Sequence, residues 1–91
     1  MNARDKTDLG ARLKRIGGQV AGIQRMLEED RSPLDVITQV SAIRAALGSV
    51  ANILLASHVE DRANEALTTP SARERRELVS ELVRLVQKRE T

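Results

Sequence analysis

Apolar residues recur along the chain in series that predict helices. The first is Leu9, Leu13, Ile16, Val20, Ile23 and Leu27. Its steps alternate four and three, which keeps all six on one face of a helix. Asp8 or Thr7 is placed to cap its start. Glu28, Glu29 and Asp30 close it, and acids oppose the dipole at a helix C-terminus, so helix 1 is expected over about 7–30. Ser32-Pro33-Leu34-Asp35 then reads as a start: Ser32 as N-cap, Pro33 at the first helical position, Asp35 on the positive end of the dipole. The stripe that follows is Val36, Val40, Ile43, Leu47, Val50 and Leu54, with Ile37, Ala45, Ile53 and Leu55 on other faces. Helix 2 is expected over about 33–66, apolar around much of its circumference. Thr68-Thr69-Pro70-Ser71 is the second break. Either Thr69 caps with Pro70 following, or Ser71 caps with Glu74 completing a capping box. Helix 3, about 71–89, carries Leu78, Val79, Leu82, Val83, Leu85 and Val86, and Arg84, Lys88 and Arg89 suit its C-terminal dipole.

No strand pattern or repeat appears, so the fold class expected is all-α: three helices in one domain over residues 1–91. A chain this short buries only roughly 60–65% of its unfolded surface. Helix 1 cannot cover a central helix that is apolar on several sides, and helix 3 is short. Pairing two chains solves this, with helices 1 and 2 of each forming an antiparallel four-helix bundle and dimers assembling into a tetramer. The middle of helix 2 is dense in small residues: Ser41, Ala42, Ala45, Ala46, Gly48, Ser49 and Ala51. These permit close antiparallel self-pairing about a two-fold axis near residues 45–46, or are simply good helix formers. Gly17, Gly18 and Gly22 each cost about 1 kcal/mol against Ala inside a helix. They imply a close backbone contact, a kink or a hinge.

Composition removes most other chemistry. With no Cys there is no disulfide, thiolate metal site or cysteine nucleophile, and His58 is the one histidine. Without Phe, Trp or Tyr there is no base-stacking platform. No phosphate loop, dinucleotide-binding glycine motif or nucleophile elbow is present, so an enzyme is not expected. The chain carries 15 Lys+Arg and 13 Asp+Glu, unevenly placed. Residues 1–25 hold six bases (Arg4, Lys6, Arg12, Lys14, Arg15, Arg25) and two acids, whereas residues 32–69 hold two bases and four acids. Repeated in an oligomer, the basic end makes a patch that attracts phosphates. The alternative is a solvated helix face. The N-terminus lacks the apolar core of a signal peptide, and no apolar run is expected to reach the roughly 18 residues that span a bilayer. A cytoplasmic protein without a membrane partner is therefore expected.

Two segments carry a more specific signal. Leu13-Lys14-Arg15-Ile16-Gly17-Gly18-Gln19-Val20-Ala21-Gly22-Ile23-Gln24-Arg25-Met26-Leu27-Glu28 resembles the opening motif of the copper-sensing operon repressors and their nickel/cobalt- and formaldehyde-responsive relatives. Asp35 to Leu47 resembles the second motif of that family. The resemblance covers residues 9 to about 67 without gaps. It implies a DNA-binding repressor that forms a dimer of dimers, with double-stranded operator DNA as its partner. The DNA contacts it implies fall on Arg12, Lys14, Arg15 and Arg44, with Ser49 at a further position that is often basic. The effector site it implies joins a Cys at the start of helix 2 to a His, and to a second Cys or His four residues later, across the dimer. Positions 33 and 58 lie about 37 Å apart along one helix, so one chain cannot bring both to one ion.

In this chain those positions are Pro33 (after Ser32), His58 and Arg62, and a Glu behind the site matches Glu77 after a one-residue shift. The cysteine ligands are missing, so no metal or other cofactor is expected and the effector is altered or absent. Arg62 is expected either to pair with a carboxylate, Glu77 or Asp35 first, or to point to solvent. In a third reading it helps to hold a small anionic effector. The other function class is a helical interaction module that forms mixed oligomers with a cysteine-bearing relative and does not itself bind DNA.

Overall fold

The computed structural model describes residues 1–90 in backbone and 1–88 in side chain, so the side chain of Arg89 lies outside the described residues. Three helices follow one another: α1 (Ala3–Glu28), α2 (Pro33–Thr68) and α3 (Ala72–Glu90). No strand occurs among the described residues.

The starts and stops follow local chemistry. α1 begins four residues before the expected start, because Asn2 rather than Thr7 or Asp8 is its N-cap: the Asn2 side chain accepts from the Asp5 N–H at 2.7 Å. Thr7 instead donates to the Ala3 carbonyl, and Asp8 pairs with Arg12. At the other end, Asp30 has a φ of 55°, the Arg31 N–H reaches the Met26 carbonyl, and the Asp30 N–H reaches that of Leu27. This is a Schellman stop with Asp where Gly is usual. Ser32 opens α2, its hydroxyl oxygen accepting from the Leu34 N–H and its carbonyl from Asp35 and Val36.

At the second break Ser71 is the cap, accepting from the Glu74 N–H. The Glu74 carboxylate accepts from the Thr69 hydroxyl, whose oxygen accepts from the Ser71 N–H, so the box is closed through Thr69. α2 has no basic residue in its last turn. Arg75 of α3 supplies that charge, donating to the Ala66 and Thr69 carbonyls.

The chain forms two compact units, Met1–Ile53 and Leu54–Thr91. In the first, Leu9 and Ile16 of α1 and Ile43 and Val50 of α2 make a buried cluster, with Ile23, Ala46 and Ile53 packed on it. In the second, Ala66 and Leu78 are buried, and Leu55, Val59, Leu82 and Leu85 are partly so.

Each apolar series is thereby divided in two. On α1, Leu9 and Ile16 are buried and Ile23 partly so, while Leu13, Val20 and Leu27 are 44–60% exposed. On α2, Ile43 and Val50 are buried, while Val40, Leu47 and Leu54 are 40–44% exposed. Both outer sets repeat every seven residues, the spacing of a second helix-packing seam. No described side chain is fully buried. A Cβ placed on Gly17, Gly18 or Gly48 meets nothing within 4 Å, and on Gly22 only the Arg25 guanidinium at 3.8 Å. The close contact expected at these glycines is therefore not made within the chain.

The expectation that no apolar run reaches membrane-spanning length is overturned. α2 is long and apolar enough to cross a bilayer, with a mean hydropathy of 1.5 over 18 residues that hold at most two charges. The reason is that residues 45–59 contain no Asp, Glu, Lys or Arg. A helix covered by other protein on several sides has the same composition.

Candidate functional site

In the second unit four polar side chains meet. His58 and Arg62 are one turn apart on α2, and Glu65 follows three residues later. α3 presents Glu81 to them. The Arg62 Nε donates to Glu81 Oε2 at 3.0 Å and Nη2 to the same oxygen at 2.5 Å. Its Nη1 donates to Glu65 Oε2 at 2.8 Å. His58 Nε2 lies 3.3 Å from Glu81 Oε1, with the donor set by the ring tautomer. The Arg62 and Glu81 side chains are 30% and 35% exposed. They edge a cleft of about 530 Å³ that Glu74, Glu77, Arg84 and Lys88 also line.

Arg62 therefore has a carboxylate partner, as one reading of the sequence expected, but the partner is neither Glu77 nor Asp35. Glu77 pairs with Arg73 at 3.4 Å and Asp35 with Arg31 at 3.6 Å, each an exposed pair along the chain. Glu81 lies one turn beyond Glu77 and faces His58 and Arg62. Sequence reasoning missed it because it is 19 residues from Arg62. The available signal was its position beside the Leu78, Leu82 and Leu85 face of α3. Ser32 and Pro33 form the start of α2 in the first unit, where Ser32 acts as the cap.

Hydrogen bonding to Arg62 holds the Glu81 carboxyl below its ordinary value of 4.5, and the bond to Glu81 raises the Arg62 guanidinium. A depressed carboxylate gives stability that is present above the unfolded value and lost as pH falls through the lower, folded one. The α2–α3 contact should thus survive at pH 7 and pH 5 and weaken below the usual carboxylate range. Amide exchange of α3 followed from pH 7 to pH 3 should show the loss, and Glu81→Gln should remove that pH dependence.

The first unit carries the basic residues. Arg12, Arg15 and Gln19 of α1 and Ser49 of α2 line a notch of about 150 Å³ floored by Ile16 and Ala46. Arg12 donates Nε to Asp8 at 3.0 Å, and among the described residues no carboxylate pairs with Arg15. Lys14 lies about 160° around α1 from Arg12, and Arg44 about 140° around α2 from Ser49, at 3.6 residues per turn. Within one chain the structure thus joins Arg12 and Arg15 and leaves Lys14 and Arg44 on other faces. Gln19 was not among the residues expected here, and Ser49 was expected only as a missing base.

Residues 5–88 match the family described as metal-sensitive transcriptional repressor. The chain belongs to that family. The copper-sensing transcriptional repressor RicR of Mycobacterium tuberculosis (strain ATCC 25618 / H37Rv) is 50% identical over 56 residues, 62% of this chain and 58% of that one. The copper-sensing transcriptional repressor CsoR of Bacillus subtilis (strain 168) is 42% identical over 66 residues, 72% of this chain and 65% of that one. The chain spans about six tenths of the length of these two relatives. Among solved structures, the nickel-responsive transcriptional regulator InrS superposes with a TM-score of 0.75 at 29% identity, covering 90% of this chain and 89% of that one. The copper-sensing repressor CsoR with Cu(I) from Geobacillus thermodenitrificans NG80-2 gives 0.73 at 30% identity, covering 100% and 92%. These relatives are transcriptional regulators and not enzymes.

The residues of this chain do not fit a thiolate-bound metal ion. It has no Cys and one His. Among the described residues no three His, Asp or Glu side chains are grouped to hold an ion. Arg62 engages both Glu65 and Glu81, so the carboxylates nearest His58 are already taken by a guanidinium.

Proposed function

We propose that this member of the metal-sensitive repressor family represses transcription by binding double-stranded operator DNA, as a self-assembled oligomer in the cytoplasm, with an effector response that no longer runs through a thiolate-bound metal. The observation that carries the DNA reading is the notch of Arg12, Arg15, Gln19 and Ser49. Two guanidinium groups and an amide line it over an apolar floor, which is the donor chemistry that seats a phosphate oxygen, while the Ser49 hydroxyl at its edge donates to the Ala45 carbonyl. A dimer of dimers repeats the notch four times, and Lys14 and Arg44 add charge on neighbouring faces. No recognition helix is required, so DNA shape contributes more than base edges.

Self-assembly is supported by the two exposed seven-residue seams. They run through the part of the chain in which the glycines leave open space, and an apolar α2 matches a helix covered by other copies of the chain. The Arg62–Glu81 pair supports the altered effector. Arg62 is already satisfied by two carboxylates, so the local sum over Arg62, Glu65 and Glu81 is one negative charge, which gives a small anionic effector no attraction at this point.

The test is retardation of the duplex upstream of the protein's own gene. A specific shift that weakens steeply with salt is expected. Protein that assembles with a cysteine-bearing relative yet shifts no duplex by itself would favour the interaction-module reading.

A further inference from the structure

A second notch lies beyond the first along the α1–α2 pair, within the same compact unit. Gln19, Gly22 and Arg25 of α1, Glu29 and Arg31 of the turn and Gln39 of α2 line a cleft of about 290 Å³, floored by Ile23 and Met26. Gln19 lines both notches. Among the described residues the Gln19 and Gln39 side-chain amides have no partner, and no carboxylate pairs with Arg25. Arg31 holds Asp35 only loosely, at 3.6 Å. Glu29 opposes these two bases and leaves the lining one positive charge in excess. A Cβ on Gly22 would meet only the Arg25 guanidinium, at 3.8 Å, so the helix backbone there is bare and open to close approach. At about 100° per residue, Arg15, Gln19, Gly22 and Met26 form one stripe on α1, about 130° around the helix from Leu13, Val20 and Leu27. A copy of the chain seated on that outer series leaves the stripe uncovered. From Arg15 to Arg25 the stripe runs about 15 Å, which is about four steps of one DNA strand at about 3.4 Å of rise each.

We propose that Arg25, Arg31 and Gln39 form a second phosphate-binding notch for duplex DNA, joined to the Arg12–Arg15 notch through Gln19, so that one strand's backbone runs along α1 over the bare helix at Gly22. This rests on the DNA-binding reading above and adds the path that the strand takes. The guanidinium groups of Arg25 and Arg31 are exposed and set in an open groove, which suits a continuous phosphodiester chain. Contacts of this kind fix the register of the protein on the duplex and carry no base sequence.

The experiment uses the full chain and a labelled duplex from upstream of its own gene, with an unrelated duplex beside it, across a salt series. Arg25→Ala and Arg31→Ala should each weaken binding about threefold to tenfold and lower the salt slope by about one, on both duplexes alike. Arg25→Lys keeps the charge and should keep the slope. Glu29→Gln removes the opposing carboxylate and should tighten binding, a gain that damage to the fold would not produce. Gly22→Glu sets a carboxylate in the middle of the path and should abolish binding, with helicity and sedimentation unchanged. If that variant does not fold, the exposed positions Arg25, Arg31 and Glu29 decide. Arg73→Ala and Glu77→Gln make the same charge changes in the other unit, and at about 0.15 M salt, where charges are screened over about 8 Å, they should alter nothing. Undiminished binding by Arg25→Ala and Arg31→Ala, with Arg15→Ala weakened, would overturn the second notch and leave the first standing. An Arg73→Ala loss as large as that of Arg25→Ala would overturn it too, by reducing the effect to net charge. No shift of any duplex by the unaltered protein would overturn both this path and the DNA-binding reading.

Discussion

Leu47→Glu should break the assembly into single chains. Leu47 is 44% exposed in one chain and lies at the centre of the outer series Val40, Leu47 and Leu54 on α2. The core that a single chain encloses is small: six buried apolar residues among those described, none of them completely shielded. If a second copy covers the seam, a carboxylate at its centre is desolvated without a partner in each subunit, which costs several kcal/mol. That is comparable to the whole stability of a small domain. Sedimentation of the unaltered protein at micromolar concentration should give a homotetramer built from dimers, and the variant a smaller and less helical species. Leu67 is a control: at 81% exposed it lies apart from the seam, and Leu67→Glu should leave the assembly intact. A stable folded monomer of the unaltered protein would show that the seam is not covered by a copy of itself.

The second large effect concerns DNA. Arg15→Ala should weaken binding more than Arg12→Ala, because Arg12 already shares its charge with Asp8 whereas no described carboxylate pairs with Arg15. A hydrogen bond to a charged group contributes about 1.5–3 kcal/mol. Since about 1.4 kcal/mol is a factor of ten, Arg15→Ala should lower affinity by at least about tenfold. Its salt slope should fall by about one for each phosphate that Arg15 neutralises. Fluorescence anisotropy of a labelled duplex across a salt series reads both quantities, and circular dichroism checks that helicity is kept. Lys14→Ala should have a smaller effect, since Lys14 lies away from the notch. Equal and undiminished binding by the Arg12 and Arg15 variants would move the DNA-binding surface elsewhere on the molecule.

Much of this protein was legible in its sequence. The all-α class, the two breaks and the cap at Ser32 follow from apolar spacing of three and four and from residues whose side chains satisfy the free N–H groups of a helix start. The family resemblance rested on residues 13–28 and 35–47, and the match over residues 5–88 agrees with it. The absence of Cys decided against a thiolate site before any geometry was known. The start of α1 was misplaced because its first turn contains no large apolar residue to mark it, and a single Asn2 side chain sets it. The division of each apolar series into inner and outer halves was not legible. All six residues of a series share one broad face, and only the packing of one helix on another determines which alternate members it covers. The apolar length of α2 was underestimated because Ala, Gly and Ser interrupt the large residues without introducing charge.

What the sequence determined alone is whatever depends on neighbours a turn apart: helices, caps, the His58–Arg62 adjacency and the excess of bases near the N-terminus. What the tertiary structure decided is whatever joins distant residues. It selected Glu81 over Glu77 and Asp35 as the partner of Arg62, and it grouped Arg12 and Arg15 with Ser49 rather than with Lys14 and Arg44. The reason is angular. A helix turns about 100° per residue, so a candidate one turn away in sequence stays on the same side, but which side meets another helix depends on how the intervening turn sets the second helix down.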